Sequence, residues 1–270
     1  MSLQPSLSSR LLSHPETTTQ YIRATQSAFL RWAGQGRLSP LVLSQWLSQD
    51  RLYAQAYVRF IGGLLSRVRL PITQPSVGTV EWRVLSVLTE ALEGITRELA
   101  FFEEMADKYH LDLACSVEDQ IDATPRREFG PNTVTAEYVH LFDSFSGPNA
   151  GIDTSRSLFD GLVLLWATEK VYLDAWTYAK EQGRSQDIQQ EGEEDLDGGA
   201  LRNEFIPNWT SNEFVAFVRE IQACLDDYAV AHDDSDHEDI ALDIWKQVLR
   251  LEEGFWPNVS SKDVASAALK

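Results

Sequence analysis

The stretch Gln45-Trp46-Leu47-Ser48-Gln49-Asp50-Arg51-Leu52-Tyr53-Ala54-Gln55-Ala56-Tyr57 decides the fold class. Trp46, Asp50, Tyr53 and Tyr57 fall at i, i+4, i+7 and i+11, one stripe along a helix and incompatible with the two-residue alternation of a strand. Upstream, Ser39 offers an N-cap and Pro40 the first helical position; downstream the pattern runs to about residue 67, before Pro71. The same periodicity predicts helices over residues 16–32, 79–110, 133–145, 155–181, 211–232 and 235–255, with almost no alternating stretch between them. The expected architecture is all-α, a single-domain helical bundle of about seven helices around a central pocket. Gly62-Gly63 marks a point where another helix comes close to the backbone.

The 270 residues carry 23 Lys plus Arg against 41 Asp plus Glu, a formal net charge of −18 at pH 7. Such a surface repels phosphate backbones and anionic headgroups, so no nucleic acid and no membrane is expected as a partner. With 43% hydrophobic and 10% aromatic residues the chain can build a core, which excludes global disorder. The run Leu162 to Ala167 is far shorter than the roughly 20 residues of a spanning helix. The start, Met1-Ser2-Leu3-Gln4-Pro5, lacks the basic-then-apolar order of a secretory leader, so the expected location is cytoplasmic. Cys115 and Cys224 imply no disulfide framework, and Asn208-Trp209-Thr210 and Asn258-Val259-Ser260 carry little weight as glycosylation acceptors. Residues 183–199 are polar and acidic, which predicts a mobile surface loop within a single domain spanning 1–270.

Three helices each carry one carboxylate in a bulky apolar stripe. Asp50 lies with Trp46, Tyr53 and Tyr57, Glu169 with Leu165, Tyr172 and Trp176, and Glu252 with Trp245, Leu249 and Trp256. A buried carboxylate without a partner takes up a proton or finds one, so three such acids call for an explanation. A fourth stripe, Val134, Tyr138, Leu141 and Phe145, brings a phenol toward the same centre. The structural alternative is neutralisation by Arg51, Arg59 or Arg250 in an ion-pair network. The acidic run from Asp233 to Asp239 reads as a solvated helix start. No His-x-x-x-His or Glu-x-x-His pair, glycine-rich phosphate loop or Gly-x-Ser-x-Gly is present, so neither metal nor cofactor is expected.

Gly36-Arg37-Leu38-Ser39-Pro40 followed by Gln49-Asp50-x-x-Tyr53 resembles the opening turn and Gln-Asp-x-x-Tyr motif of the TenA family, relatives of PqqC with the haem-oxygenase-like all-α fold. Phe205-Ile206-Pro207-Asn208-Trp209-Thr210 resembles the family's segment with an aromatic before a short turn and helix. Leu251-Glu252-Glu253-Gly254-Phe255-Trp256 resembles its C-terminal Glu-x-x-Phe-Trp. Order and rough spacing agree from about Thr17 to Trp256. The resemblance implies an aminopyrimidine hydrolase of thiamin salvage. Such an enzyme converts 4-amino-5-aminomethyl-2-methylpyrimidine, or its formyl precursor, to the hydroxymethylpyrimidine with release of ammonia.

Position by position, the resemblance places Asp50 on the aminopyrimidine, Tyr53 and Tyr138 along the ring, Trp209 where the family often has Tyr, and Glu252 as acid and base. The position of the family's nucleophilic Cys falls on Glu169, and the Tyr expected four residues later is Leu173, with Tyr172 beside it. This resembles a Glu-containing branch that lacks the catalytic Cys. A carboxylate adds to a ring carbon far less readily than a thiolate. The expectation is therefore that Glu252, Glu169 and Asp50 share a slot, one carboxyl protonating the departing amine and another activating water. The resemblance further implies a homo-oligomer, dimer or tetramer. The alternative from another class is a non-catalytic pyrimidine-binding or interaction protein on the same fold.

Overall fold

In a computed structural model the described residues are 5–72, 74–115, 129–146, 156–187, 194–232 and 234–259. Among them every regular element is helical, as the periodicity predicts: α1 (Leu7–Leu12), α2 (Thr18–Thr25), α3 (Ala28–Gly34), α4 (Pro40–Leu65), α5 (Val80–Tyr109), α6 (Thr133–Asp143), α7 (Leu158–Asp187), a π turn (Leu201–Phe205), α8 (Ile206–Trp209), α9 (Asn212–Ala231) and α10 (His237–Phe255). Ser39 caps α4 by accepting from the Val42 N–H, with Pro40 in the first turn, and Thr79, Asn132 and Ser211 cap α5, α6 and α9 in the same way.

Of three departures from the expected seven helices, one is α1, which lies ahead of every expected helix and is capped by Ser6, its hydroxyl accepting from the Ser9 N–H, and the other two have equally local causes. The helix expected over 16–32 is split, because Ser27 lies in extended backbone (φ −71°, ψ 164°) and its hydroxyl accepts from the Leu30 N–H, starting α3 afresh. Residues 201–209, outside every expected helix, owe their shape to Pro207. Proline has no N–H to close an α-helical bond onto the Asn203 carbonyl, and the backbone widens so that the Ile206 N–H bonds Leu201 O, five residues back.

The central helix is α7, whose residues Phe159 and Leu162 to Ala167 are all buried. It packs against α2, α3, α9 and α10, and burial on every side explains why its sequence is almost continuously apolar there. α4 packs on α5 and α6, and one hydrophobic cluster draws residues from all of these elements. No described helix is long and apolar enough to cross a membrane.

The stretch 183–199 divides into parts. α7 continues to Asp187, and residues 188–193 lie outside the described residues. Beyond them the Leu196 N–H bonds Gly36 O at 2.9 Å, Arg202 pairs with Asp195 at 3.0 Å, and the Asp197 carboxylate accepts from the N–H groups of Gly199 and Leu201 at 2.9 and 2.8 Å. A backbone bond thus fastens this turn against the α3–α4 connection, while Asp195 and Asp197 hold the start of the π turn.

Of the two adjacent glycines in α4, only Gly63 serves close approach. A Cβ there would lie 2.2 Å from the Phe145 carbonyl oxygen, whereas one at Gly62 meets nothing within 4 Å. Gly63→Ala is expected to lower stability by about 1–3 kcal/mol through overpacking. Gly62→Ala is expected to raise it by about 0.5–1 kcal/mol through lost unfolded-state entropy. Thermal unfolding of the two variants, moving in opposite directions from the parent, checks both.

Candidate active site

A cavity of about 450 Å³ opens between α4, α5, α7 and the α8–α9 junction. α4 presents Asp50, Tyr53 and Tyr57 to it, and α7 presents Thr168, Glu169 and Tyr172, so the two stripes read from the sequence face one space. α8 adds Asn208 and Trp209, and α5 adds Glu98 and Phe102.

Glu90 and Glu213 also line the cavity, but the four carboxylates Asp50, Glu98, Glu169 and Glu252 are the ones met by an aromatic donor. Tyr172 Oη donates to Asp50 Oδ2 at 3.1 Å, and Tyr57 Oη donates to Glu169 Oε1 at 2.6 Å. Trp209 Nε1 donates to Glu98 Oε1, and Asn208 Nδ2 donates to Glu98 Oε2 at 3.1 Å. Tyr138 Oη donates to Glu252 Oε1 at 2.5 Å, while Glu252 Oε2 has no hydrogen-bond partner among the described residues.

The arginines that offered a structural explanation point elsewhere. Arg51 pairs with Glu103 at 3.8 Å, Arg59 with Asp143 at 2.8 Å, and Arg250 with Glu137 at 2.7 Å. Among the described residues no Lys, Arg or His makes an ion pair with Asp50, Glu98, Glu169 or Glu252. Burial is accordingly the leading cause that pushes the Glu169 and Glu252 carboxyls up to about 7, against the downward pull of their tyrosine bonds. Asp50 is raised well above the usual carboxylate range by burial first, then by the charge of Glu98, with Glu252 and Glu169 adding to it.

The expected residues do not all reach the same surface. Asp50, Tyr53, Glu169, Tyr172 and Trp209 line the cavity, but Tyr138 and Glu252 stand one layer back. The Tyr53 ring lies 5.0 Å from Tyr138 and 5.7 Å from Phe255, centroid to centroid, and these rings fill the space between α4, α6 and α10. The cavity wall is therefore α4, α5, α7, α8 and α9, and α6 and α10, which carry Tyr138 and Glu252, stand behind it, so Glu252 does not share one open slot with Asp50 and Glu169. Neither cysteine lines it, and burial pushes the Cys224 thiol up to about 12.

Sequence reasoning missed Glu98. It sits in α5 with Ala91, Gly94, Ile95, Phe101 and Phe102 at helical spacing, and all of these line the cavity. The stripe rule that found Asp50 could have found it, but α5 also carries Glu93, Glu103 and Glu104 away from the cavity and an exposed Glu90 at its margin, which hides one bonded inward acid among solvated ones.

Among solved structures, a TenA homologue from Pyrococcus furiosus superposes with a TM-score of 0.67, covering 93% of this chain and 98% of that one at 20% identity. The chain has the TenA fold. The haem-oxygenase-like bundle expected from the three sequence segments is therefore present. A "Probable transcription factor" from Fusarium pseudograminearum is 28% identical over 254 residues, 84% of this chain and 46% of that protein. A "Probable bifunctional TENA-E protein" from Glycine max is 22% identical over 163 residues, 60% of each chain. The chain thus spans about half the length of the curated relatives it matches. No family model matches it.

Because Glu169 and Glu252 are raised toward 7 from 4.5, folding favours their protonated forms. The stability they contribute is complete below about pH 4.5 and is lost as pH rises through about 7, on the order of 3 kcal/mol for each carboxyl. Urea unfolding of the TenA-fold chain is expected to show stability falling between pH 5 and pH 8, with a shallower fall in Glu169→Gln and Glu252→Gln. An identical pH profile in both variants would contradict the assignment.

Proposed function

We propose that the chain is an aminopyrimidine hydrolase of thiamin salvage that works with carboxylates in place of a cysteine nucleophile. The observation that carries this reading is Glu169 on the cavity wall of a TenA fold, its carboxyl poised near neutrality, with no cysteine lining the cavity. The soybean relative whose printed name includes TENA-E supports it.

In this mechanism Asp50, its Oδ2 held by Tyr172, accepts from the 4-amino group of the pyrimidine, and Tyr53 and Trp209 flank the ring. The nitrogen of the aminomethyl arm must carry a proton to leave as ammonia. Glu169 supplies or maintains that proton, and because Tyr57 occupies Oε1, the acidic hydrogen belongs on Oε2. Water attacks the methylene carbon, the C–N bond breaks with its electrons passing to nitrogen, and the water's proton goes to a carboxylate. Glu252 stands one layer behind Tyr53 and does not touch the water, so in this reading the proton reaches it by relay, Tyr53 passing its hydroxyl proton to Glu252 as it takes the water's, while Tyr138 fixes the other Glu252 oxygen. Two acids raised to about 7 leave one proton between them at neutral pH, the state this exchange requires. The protein would act as a cytoplasmic homo-oligomer.

The absence of a cysteine from the wall also favours a second reading, a pyrimidine-binding protein without turnover. Ammonia release from 4-amino-5-aminomethyl-2-methylpyrimidine separates the two. The enzyme is expected to release ammonia with a bell-shaped pH dependence, and Glu169→Gln, Glu252→Gln and Asp50→Asn are each expected to lower kcat/KM by about 100-fold or more. Thermal stabilisation by the pyrimidine without ammonia would establish the binding protein instead.

A further inference from the structure

Asp50 and Glu169 account for the ring and the leaving nitrogen, yet the cavity wall holds another inward carboxylate on α5. Both oxygens of Glu98 are held from one side, Oε1 by the Trp209 indole and Oε2 by the Asn208 amide. A carboxylate offers about four lone-pair directions, so roughly one on each oxygen stays open after these two bonds. Arg97, its neighbour in the chain, lies exposed at the cavity rim and makes no ion pair with it among the described residues. The charge of Glu98 bears on Asp50 and on Glu169, and it is the foremost charge acting on Asp50. Trp209, which anchors Glu98, meets Tyr172, which anchors to Asp50, edge to face at 5.5 Å. Two touching aromatic rings thus deliver their polar tips to two mutually repelling carboxylates. A bound cation between them relieves that repulsion, and an aromatic ligand finds both rings in reach.

We propose that Glu98 is the docking residue for the ligand's positive charge, accepting N–H bonds from a protonated primary amine carried one carbon away from an aromatic ring. The identity of the ring as an aminopyrimidine rests on the reading above, whereas the ammonium docking applies to any arylmethylammonium that fits the cavity. Hydroxymethyl analogues lack the charge and offer Glu98 at most one neutral O–H donor, so they gain much less from it.

The test is a set of binding titrations of the full chain, read by rapid-mixing tryptophan fluorescence, with two matched pairs: benzylammonium against benzyl alcohol, and 4-amino-5-aminomethyl-2-methylpyrimidine against its 5-hydroxymethyl counterpart. The parent is expected to prefer the ammonium of each pair. Glu98→Gln is expected to reduce that preference by about tenfold or more, the size of one lost charge-assisted hydrogen bond. Asn208→Ala, which removes a donor but keeps the carboxylate, and Glu98→Asp, which keeps the charge, are expected to retain it. Equal weakening of amine and alcohol in Glu98→Gln would mean that Glu98 acts only by holding Trp209, and would overturn the proposal. So would an undiminished ammonium preference, or a parent with none. Failure of both pyrimidines to bind, beside Glu98-dependent binding of benzylammonium, would refute the pyrimidine reading and leave the ammonium site standing.

Discussion

The hydrogen bond from Tyr57 to Glu169 joins α4 to α7 at 2.6 Å, and the interior is organised around interactions of this kind. Tyr172 to Asp50 joins the same two helices in the opposite sense, Tyr138 to Glu252 joins α6 to α10, and Trp209 to Glu98 joins α8 to α5. In each case an acid leaves water for an aromatic interior and receives an aromatic donor, joined at Glu98 by the Asn208 amide, with no ion-paired cation among the described residues. A neutral donor offsets only part of the desolvation of a carboxylate, so the acids respond by holding protons. Packing these helices around the cavity thus favours the protonated forms of these acids. Fold and site therefore depend on the same few groups.

The aromatic packing extends this logic. Trp46, Trp176, Trp209 and Trp256 form one group, with Trp176 and Trp209 centroids 4.4 Å apart and Trp46 and Trp256 stacked at 5.8 Å. Among the described residues the indole N–H groups of Trp46 and Trp176 have no hydrogen-bond partner; the two rings meet edge to face, and so do Trp46 with Trp209 and Trp176 with Trp256. Of the four only Trp209 lines the cavity, and the other three pack behind it as rigid rings with only two side-chain torsions each to lose. That part of the cavity wall is consequently set by the core itself.

How much of this was legible in the sequence depends on the contrast each residue makes with its own helix. Asp50 and Glu169 stand out because their stripes are otherwise aromatic and aliphatic, and both reach the cavity. Glu252 satisfies the same rule but lies a layer deeper, because periodicity reports which face a residue occupies and says nothing of what fills the space in front of that face; here Tyr53 fills it. Glu98 satisfies the rule less visibly, since its helix is acidic on several sides. The helix break at Ser27 and the π turn before Pro207 depend on single hydrogen bonds, a hydroxyl accepting one N–H and an imino acid lacking one, and an averaged apolar pattern does not register them.

Gly94 differs in kind from Gly63. It lines the cavity, and a Cβ added there would meet nothing within 4 Å, whereas Gly63 is pressed against the Phe145 carbonyl. A side chain introduced at residue 94 would grow into empty volume and leave the surrounding helices where they are. The capacity of the site is thus decoupled from the upkeep of the bundle at this position, so that one codon can retune which molecules fit while the framework drifts or stays fixed on its own account. Descendants of such a chain could diverge in diet before they diverge in shape.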